Sequence, residues 1–240
     1  MTIILRAKVE GLDEALRTVG NVGRQSRFAA AVSLTKAAKA IEQNLRAEMA
    51  AKLTSASPYS LRGTYSTSAT KASLTAAVGI KDKAPARGTA PAKLLYEHFA
   101  GGQRGGKPME VALSAIGVLP RGWRVVVGQG MPTDAYGNPK RQGVSEIIGA
   151  LRTRMRVYRK QRTRQYEVGY FAVIPGTGSR LFPGIYKRTN NRDIKPMLMF
   201  VQAAGYRQRL DLPKIGEAYM DREFAALFRA EFEQAMRTAR

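Results

Sequence analysis

This sequence predicts an α+β fold, and three observations carry the prediction. Phe28, Val32, Ala38, Ile41, Leu45 and Met49 recur at helical spacing over about 25–53, which marks a long amphipathic helix. Short segments such as GWRVVVG and YFAVIPG are rich in the β-branched and aromatic residues of strands. A second apolar stripe, Met220, Phe224, Leu227, Phe228 and Phe232, marks a closing helix over about 215–238. Both stripes must be buried against something. The simplest arrangement is one α+β domain over 1–240: a mixed or antiparallel sheet packed by the long N-terminal helix and the C-terminal helix, with extended loops or hairpin arms.

The elements follow in chain order. TIILRAKVEG has strand composition and stops at Gly11, and LDEALRTV then reads as a short helix with acids in its first turn, where the dipole favours them. After the long helix, TSASPYSLRGTYSTSATK reads as a Ser/Thr-rich loop and ASLTAAVGIKDK as a strand ending in a charged turn. PAKLLYEHFAGGQRGGKPMEVALSAIGVLP contains two short helical runs separated by four glycines, within a loop-rich basic middle over about 101–209. GWRVVVG is a strand, VSEIIGALRTRM a helix past Gly143, and YFAVIPG a further strand. LFPGIYKRTNNRDIKPMLMFV reads as two apolar strands around a polar tip. No internal repeat or dividing linker is legible.

Composition limits the function. The chain has 44% hydrophobic residues, enough for a core, and its 40 Lys and Arg against 18 Asp and Glu leave a formal charge of +22. Polyanions, acidic protein surfaces or a tight assembly are the expected partners. Residues 101–209 hold 20 basic and 5 acidic side chains, so the excess sits in the middle. The absence of cysteine excludes disulfides, a thiolate nucleophile and cysteine zinc sites, and fits folding in a reducing cytosol. The beginning lacks the pattern of a secretory signal, and no apolar stretch reaches membrane-spanning length.

Signs of catalysis are weak. Gly101, Gly106 and Lys107 in GGQRGGKP satisfy the first part of a phosphate-binding loop, but Pro108 stands where a magnesium-binding hydroxyl is required. His98 is the only histidine, and its place beside Tyr96 and Phe99 suits packing or capping. Asp134 and Asp193 sit in turn-forming contexts without a partner carboxylate. No cofactor, metal site or catalytic set is expected, and a nuclease or peptidoglycan hydrolase is the weakest of the functional readings.

The segment RTRMRVYRKQRTRQY concentrates Arg152, Arg154, Arg156, Arg159, Lys160, Arg162 and Arg164 without an acid. Such a run either grips phosphates or an acidic neighbour, with Tyr158 and Tyr166 able to stack, or forms a solvated loop or strand edge protected by its charge.

Four stretches together resemble the lambda minor tail protein Z family of tailed bacteriophages, more broadly a tail completion or head–tail joining component. They are YEHFAGGQRGG, GVLPRGWRVVVG running into DAYGNPKRQGVSEIIGAL, PGIYKRTNNRDIKPMLMFV, and YRQRLDLPKIGEAYMDREFAALFRAEF. The second contains Asp134, Tyr136, Gly137 and Asn138 as the turn the family places before a helix. The arginine run has no place in that pattern. The resemblance implies a non-catalytic virion protein of the tail or neck, made in the host cytoplasm. It also implies a ring, expected to be hexameric, that contacts the tail terminator, the tail tube and the head-side connector, with DNA in the lumen and no membrane. Ring subunits reach their neighbours with loops and hairpins, so Ile185, Tyr186, Met197 and Met199 are interface candidates beside the cationic run. The competing view is that these four belong to the chain's own sheet. The alternative function is a basic, nonspecific nucleic-acid-binding protein.

Overall fold

The computed structural model describes residues 3–8, 20–54, 56–84, 88–103, 105–153, 157–161, 164–190, 192–202 and 205–238. The short helix expected from LDEALRTV lies outside them. The chain is α+β, and its contacts define two compact units, 1–102 with 207–240, and 103–206. The single sheet expected is two antiparallel sheets, one in each unit.

In the first unit the long amphipathic segment forms helix α1, Gly20–Lys52. Ala30, Leu34, Ala38, Ile41, Leu45 and Met49 are buried along one side, and each leucine so placed contributes roughly 2 kcal/mol of hydrophobic stabilisation. Phe28, expected on that stripe, is partly exposed and takes Lys71 Nζ over its ring at 4.8 Å. The helix packs on a three-stranded sheet ordered β1 (Ile3–Lys8), β3 (Thr75–Ile80), β2 (Thr64–Thr67). Ala76, Val78 and Ile80 alternate into the core, as a half-buried strand requires.

The Ser/Thr-rich stretch expected to be a loop holds a short helix, α2 (Pro58–Leu61), and the strand β2. Ser57 caps α2 by accepting from Ser60 N, and Pro58 supplies a preset first turn. Glu42 of α1 then fastens β2, accepting from Thr64 Oγ1 at 2.9 Å and Ser66 Oγ at 2.8 Å. Strand formation here follows from pairing and polar ties, which composition does not reveal.

Helix α3 (Pro91–Ala100) ends at Gly101, φ 68°. The His98 carbonyl accepts from Arg209 N and Leu210 N, both at 2.9 Å, and this ties the returning chain down. The closing helix comes in three pieces: α6 (Leu212–Tyr219), capped by Asp211, a π-helical turn (Met220–Phe224), and α7 (Ala225–Arg237). Met220, Phe224 and Phe228 pack on the core that α1 lines.

The second unit has a five-stranded sheet ordered β4 (Trp123–Val127), β8 (Ile194–Gln202), β7 (Gly184–Arg188), β6 (Arg164–Val173), β5 (Val157–Gln161). Leu113 of helix α4 (Pro108–Ala115) and Ile147 of helix α5 (Arg141–Thr153) share one core with Val125, Ile185, Leu198 and Phe200 of the sheet. Glu110 locks α4 to the sheet. Its carboxylate, only 3% exposed, accepts from Lys107 N at 2.7 Å and from Val125 N at 2.8 Å. Before α5, Asp134 Oδ1 accepts from Tyr136 N and Asn138 N and closes a turn in which Gly137 has φ 78°. These bonds hold the Asp134 carboxyl below the usual carboxylate range, the Asn138 side chain contributing most.

Candidate polyanion interface

The hairpin of β7 and β8 occupies the centre of the second sheet. Opposite Ile185, β8 carries an extra residue, and this bulge turns both Met197 and Leu198 into the helix-covered core. At Gly184 a side chain has no room, since a Cβ there would lie 2.6 Å from the Leu198 carbonyl oxygen. Tyr186 faces the other way, stacks on Phe171 with centroids 5.6 Å apart, and donates its hydroxyl to the Phe182 carbonyl at 2.8 Å. Burial pushes its phenol pKa up.

These positions revise the interface candidates. Ile185, Tyr186 and Met197 are buried by the chain's own packing, so their side chains offer nothing to a neighbour. Met199 keeps partial exposure on the face it shares with Val126, which is 45% exposed.

The cationic run is divided among several elements. Arg152 is exposed on the last turn of α5. Arg159 and Lys160 lie on β5, the edge strand, and Arg164 opens β6; the register sets Arg159 opposite Tyr166 and Lys160 opposite Gln165. Arg154, Arg156 and Arg162 lie outside the described residues. An edge strand rich in Lys and Arg resists pairing with other chains.

The register reveals a second cationic group that a linear reading passes over. Lys187 and Lys195 are direct cross-strand partners, Arg188 follows Lys187, and Arg192 sits in the connecting turn. Side-chain bonds tie the described part of the turn: Asn190 Oδ1 accepts from Arg192 N at 2.9 Å and Asp193 N at 2.8 Å, and the Asp193 carboxylate accepts from the Asn190 amide. The tip's one carboxylate is therefore engaged by a neutral group. Lys187 lies over Tyr170 at 5.2 Å, and Arg188 lies over Phe171 at 5.2 Å with its Nε buried and unbonded. Among the described residues none of these four cations has an acidic partner.

Counted over 103–206, the second unit holds 18 basic and 5 acidic side chains, a formal +13. Glu110 and Asp134 are bound to backbone amides, and Glu146 accepts from Gln142 Nε2 and the Tyr170 hydroxyl. In the first unit, by contrast, Lys36 pairs with Glu231, Arg46 with Glu42 and Lys52 with Glu48.

The residues singled out for chemistry are placed as follows. Pro108 begins α4, and the amide of Lys107 is engaged by Glu110, so a carboxylate already holds a donor that a phosphate would need. The His98 imidazole is held below its usual range, first by burial and then by the Arg209 cation. Among the described residues no three His, Asp or Glu side chains are grouped to hold a metal ion. No protein-family model, curated protein or solved structure matches the chain.

Proposed function

We propose that this chain is a structural, non-catalytic component of a tailed-phage particle, of the tail-completion kind. In this reading its subunits close a ring at the junction of tail and head and contact terminator, tube and connector proteins. The basic second unit faces polyanionic surroundings: acidic surfaces of neighbouring rings or DNA in the lumen. The supporting observation is the +13 charge of that unit, where the described carboxylates bind amides and hydroxyls and, among the described residues, the hairpin-tip cations have no acidic partner. So many like charges held together are costly unless anions or abundant water surround them. The sequence resemblance supplies the setting in which such surroundings exist.

The test is the copy number of the chain in purified virions after a high-salt wash, by quantitative mass spectrometry. The expected result is about six copies per particle, as one closed ring requires. A chain absent from the particle, or removed by the wash, overturns the proposal.

A further inference from the structure

We infer that the tip of the β7–β8 hairpin, together with the adjoining end of the second sheet, is a binding surface for the phosphate backbone of nucleic acid. This deepens the proposed function, since it rests on a second unit that faces polyanions and names the anion and the place where it binds.

The sheet register carries the inference. Strand β6 runs antiparallel to β7 with Gly169 opposite Arg188, so residues 164–168 extend past Arg188 toward the β7–β8 turn. Strand β5 pairs with that same part of β6, from Val157 opposite Val168 to Gln161 opposite Arg164. The Gln161–Arg164 end of the β5–β6 pair therefore lies at the same end of the sheet as the β7–β8 turn. That end gathers Lys187, Arg188, Arg192 and Lys195 from one hairpin and brings up the strand positions of Arg159, Lys160 and Arg164 from the other. From β8 to β5 is three strand spacings, about 14 Å, the axial length of about four base pairs.

The chemistry distinguishes this surface from a protein-docking patch. Protein interfaces have an apolar core and are depleted in lysine. Here Thr189, Asn190, Arg192 and Asp193 at the turn are exposed and polar, and two lysines stand directly across the ladder from each other. Like charges in that relation destabilise a sheet, and an anion bound between them removes the penalty. Strand alternation sends Lys187 and Arg188 to opposite faces, each over an aromatic ring, so cations flank the tip on both sides. Lys, Arg, Thr and Asn are the side chains that contact phosphate and sugar without reading sequence.

The experiment is fluorescence anisotropy of the full chain with duplex DNA across a salt series. The variant Lys187→Gln/Arg192→Gln/Lys195→Gln should reduce the slope of log K against log salt by about 2.7, at about 0.9 per phosphate contact. A control triple in the first unit, Lys39→Gln/Lys83→Gln/Lys93→Gln, should leave the slope unchanged. The tip triple also removes the Lys187–Lys195 repulsion, so its melting temperature should match or exceed that of the parent. Arg192→Gln alone should lower the slope by about 0.9 and serves if the triple does not fold. An unchanged slope in the tip variants, or equal losses in both triples, overturns the inference. So does a tip triple that weakens binding of poly-glutamate and leaves DNA binding intact, which would make the partner an acidic protein. A full virion copy number with an unchanged DNA slope would sink the tip assignment alone, while absence from virions with a reduced slope would sink only the proposed function.

Discussion

Glu110→Ala tests how the second unit is held together. The Glu110 carboxylate is buried and accepts from two backbone amides, Lys107 N ahead of α4 and Val125 N in the middle of β4. Truncation removes both bonds and leaves the Val125 amide in the core without that acceptor. At about 1.5 kcal/mol for each hydrogen bond to a charged group, the loss is about 3 kcal/mol. Trp123, the only tryptophan, lies two residues from Val125 and packs against the same core, so its fluorescence reports this unit. With a urea dependence of about 1.5 kcal/mol per molar, the unfolding midpoint should fall by about 2 M. Glu110→Gln keeps one carbonyl acceptor but turns an NH2 group toward the other amide, and should lose about half as much. A shift below about 0.5 M for Glu110→Ala, or equal shifts for the two variants, would refute the claim that these two bonds fasten α4 to the sheet.

Two further predictions concern the first unit. Glu42→Ala removes a carboxylate bonded to Arg46, Thr64 and Ser66 and should cost about 2 kcal/mol, whereas Glu48→Ala removes an exposed pair with Lys52 and should cost at most about 0.5 kcal/mol; thermal unfolding of the two variants checks the contrast. His98 has its folded-state pKa depressed by burial and by Arg209, so the unfolded chain binds the proton more readily. Stability from this group is full above the ordinary pKa of about 6.5 and is lost as pH falls through the lower folded value. NMR titration of the single imidazole should give a midpoint below about 6.5, and His98→Gln should flatten urea stability across that window; a midpoint at or above the ordinary value would contradict the burial.

The local elements were legible because they obey local rules. Helix α1 follows from the spacing of Val32, Ala38, Ile41, Leu45 and Met49, although Phe28 at the head of that stripe is exposed, and the closing helix from Met220, Phe224 and Phe228. Strands β4, β7 and β8 follow from apolar composition, and the basic character of the middle from counting. Charge and periodicity are properties of neighbours in the chain, so the sequence by itself determined them.

Pairing was decided elsewhere. Strand β2 was hidden in a Ser/Thr-rich stretch because the ties that hold it, the ladder with β3 and the bonds to Glu42, come from residues distant in sequence. The division into two sheets, and the bulge that sends Met197 and Leu198 to the same side, depend on which strands meet and in what register. That register buried Ile185, Tyr186 and Met197, three candidates for contact with a neighbour. It also set Lys187 against Lys195 and brought the Gln161–Arg164 end of the β5–β6 pair to the same end of the sheet as the β7–β8 turn. The sequence alone determined that this protein carries a large positive charge on an α+β chain. Only the tertiary structure decided where that charge converges, because cross-strand neighbours are joined by hydrogen bonds across space and not by position along the chain.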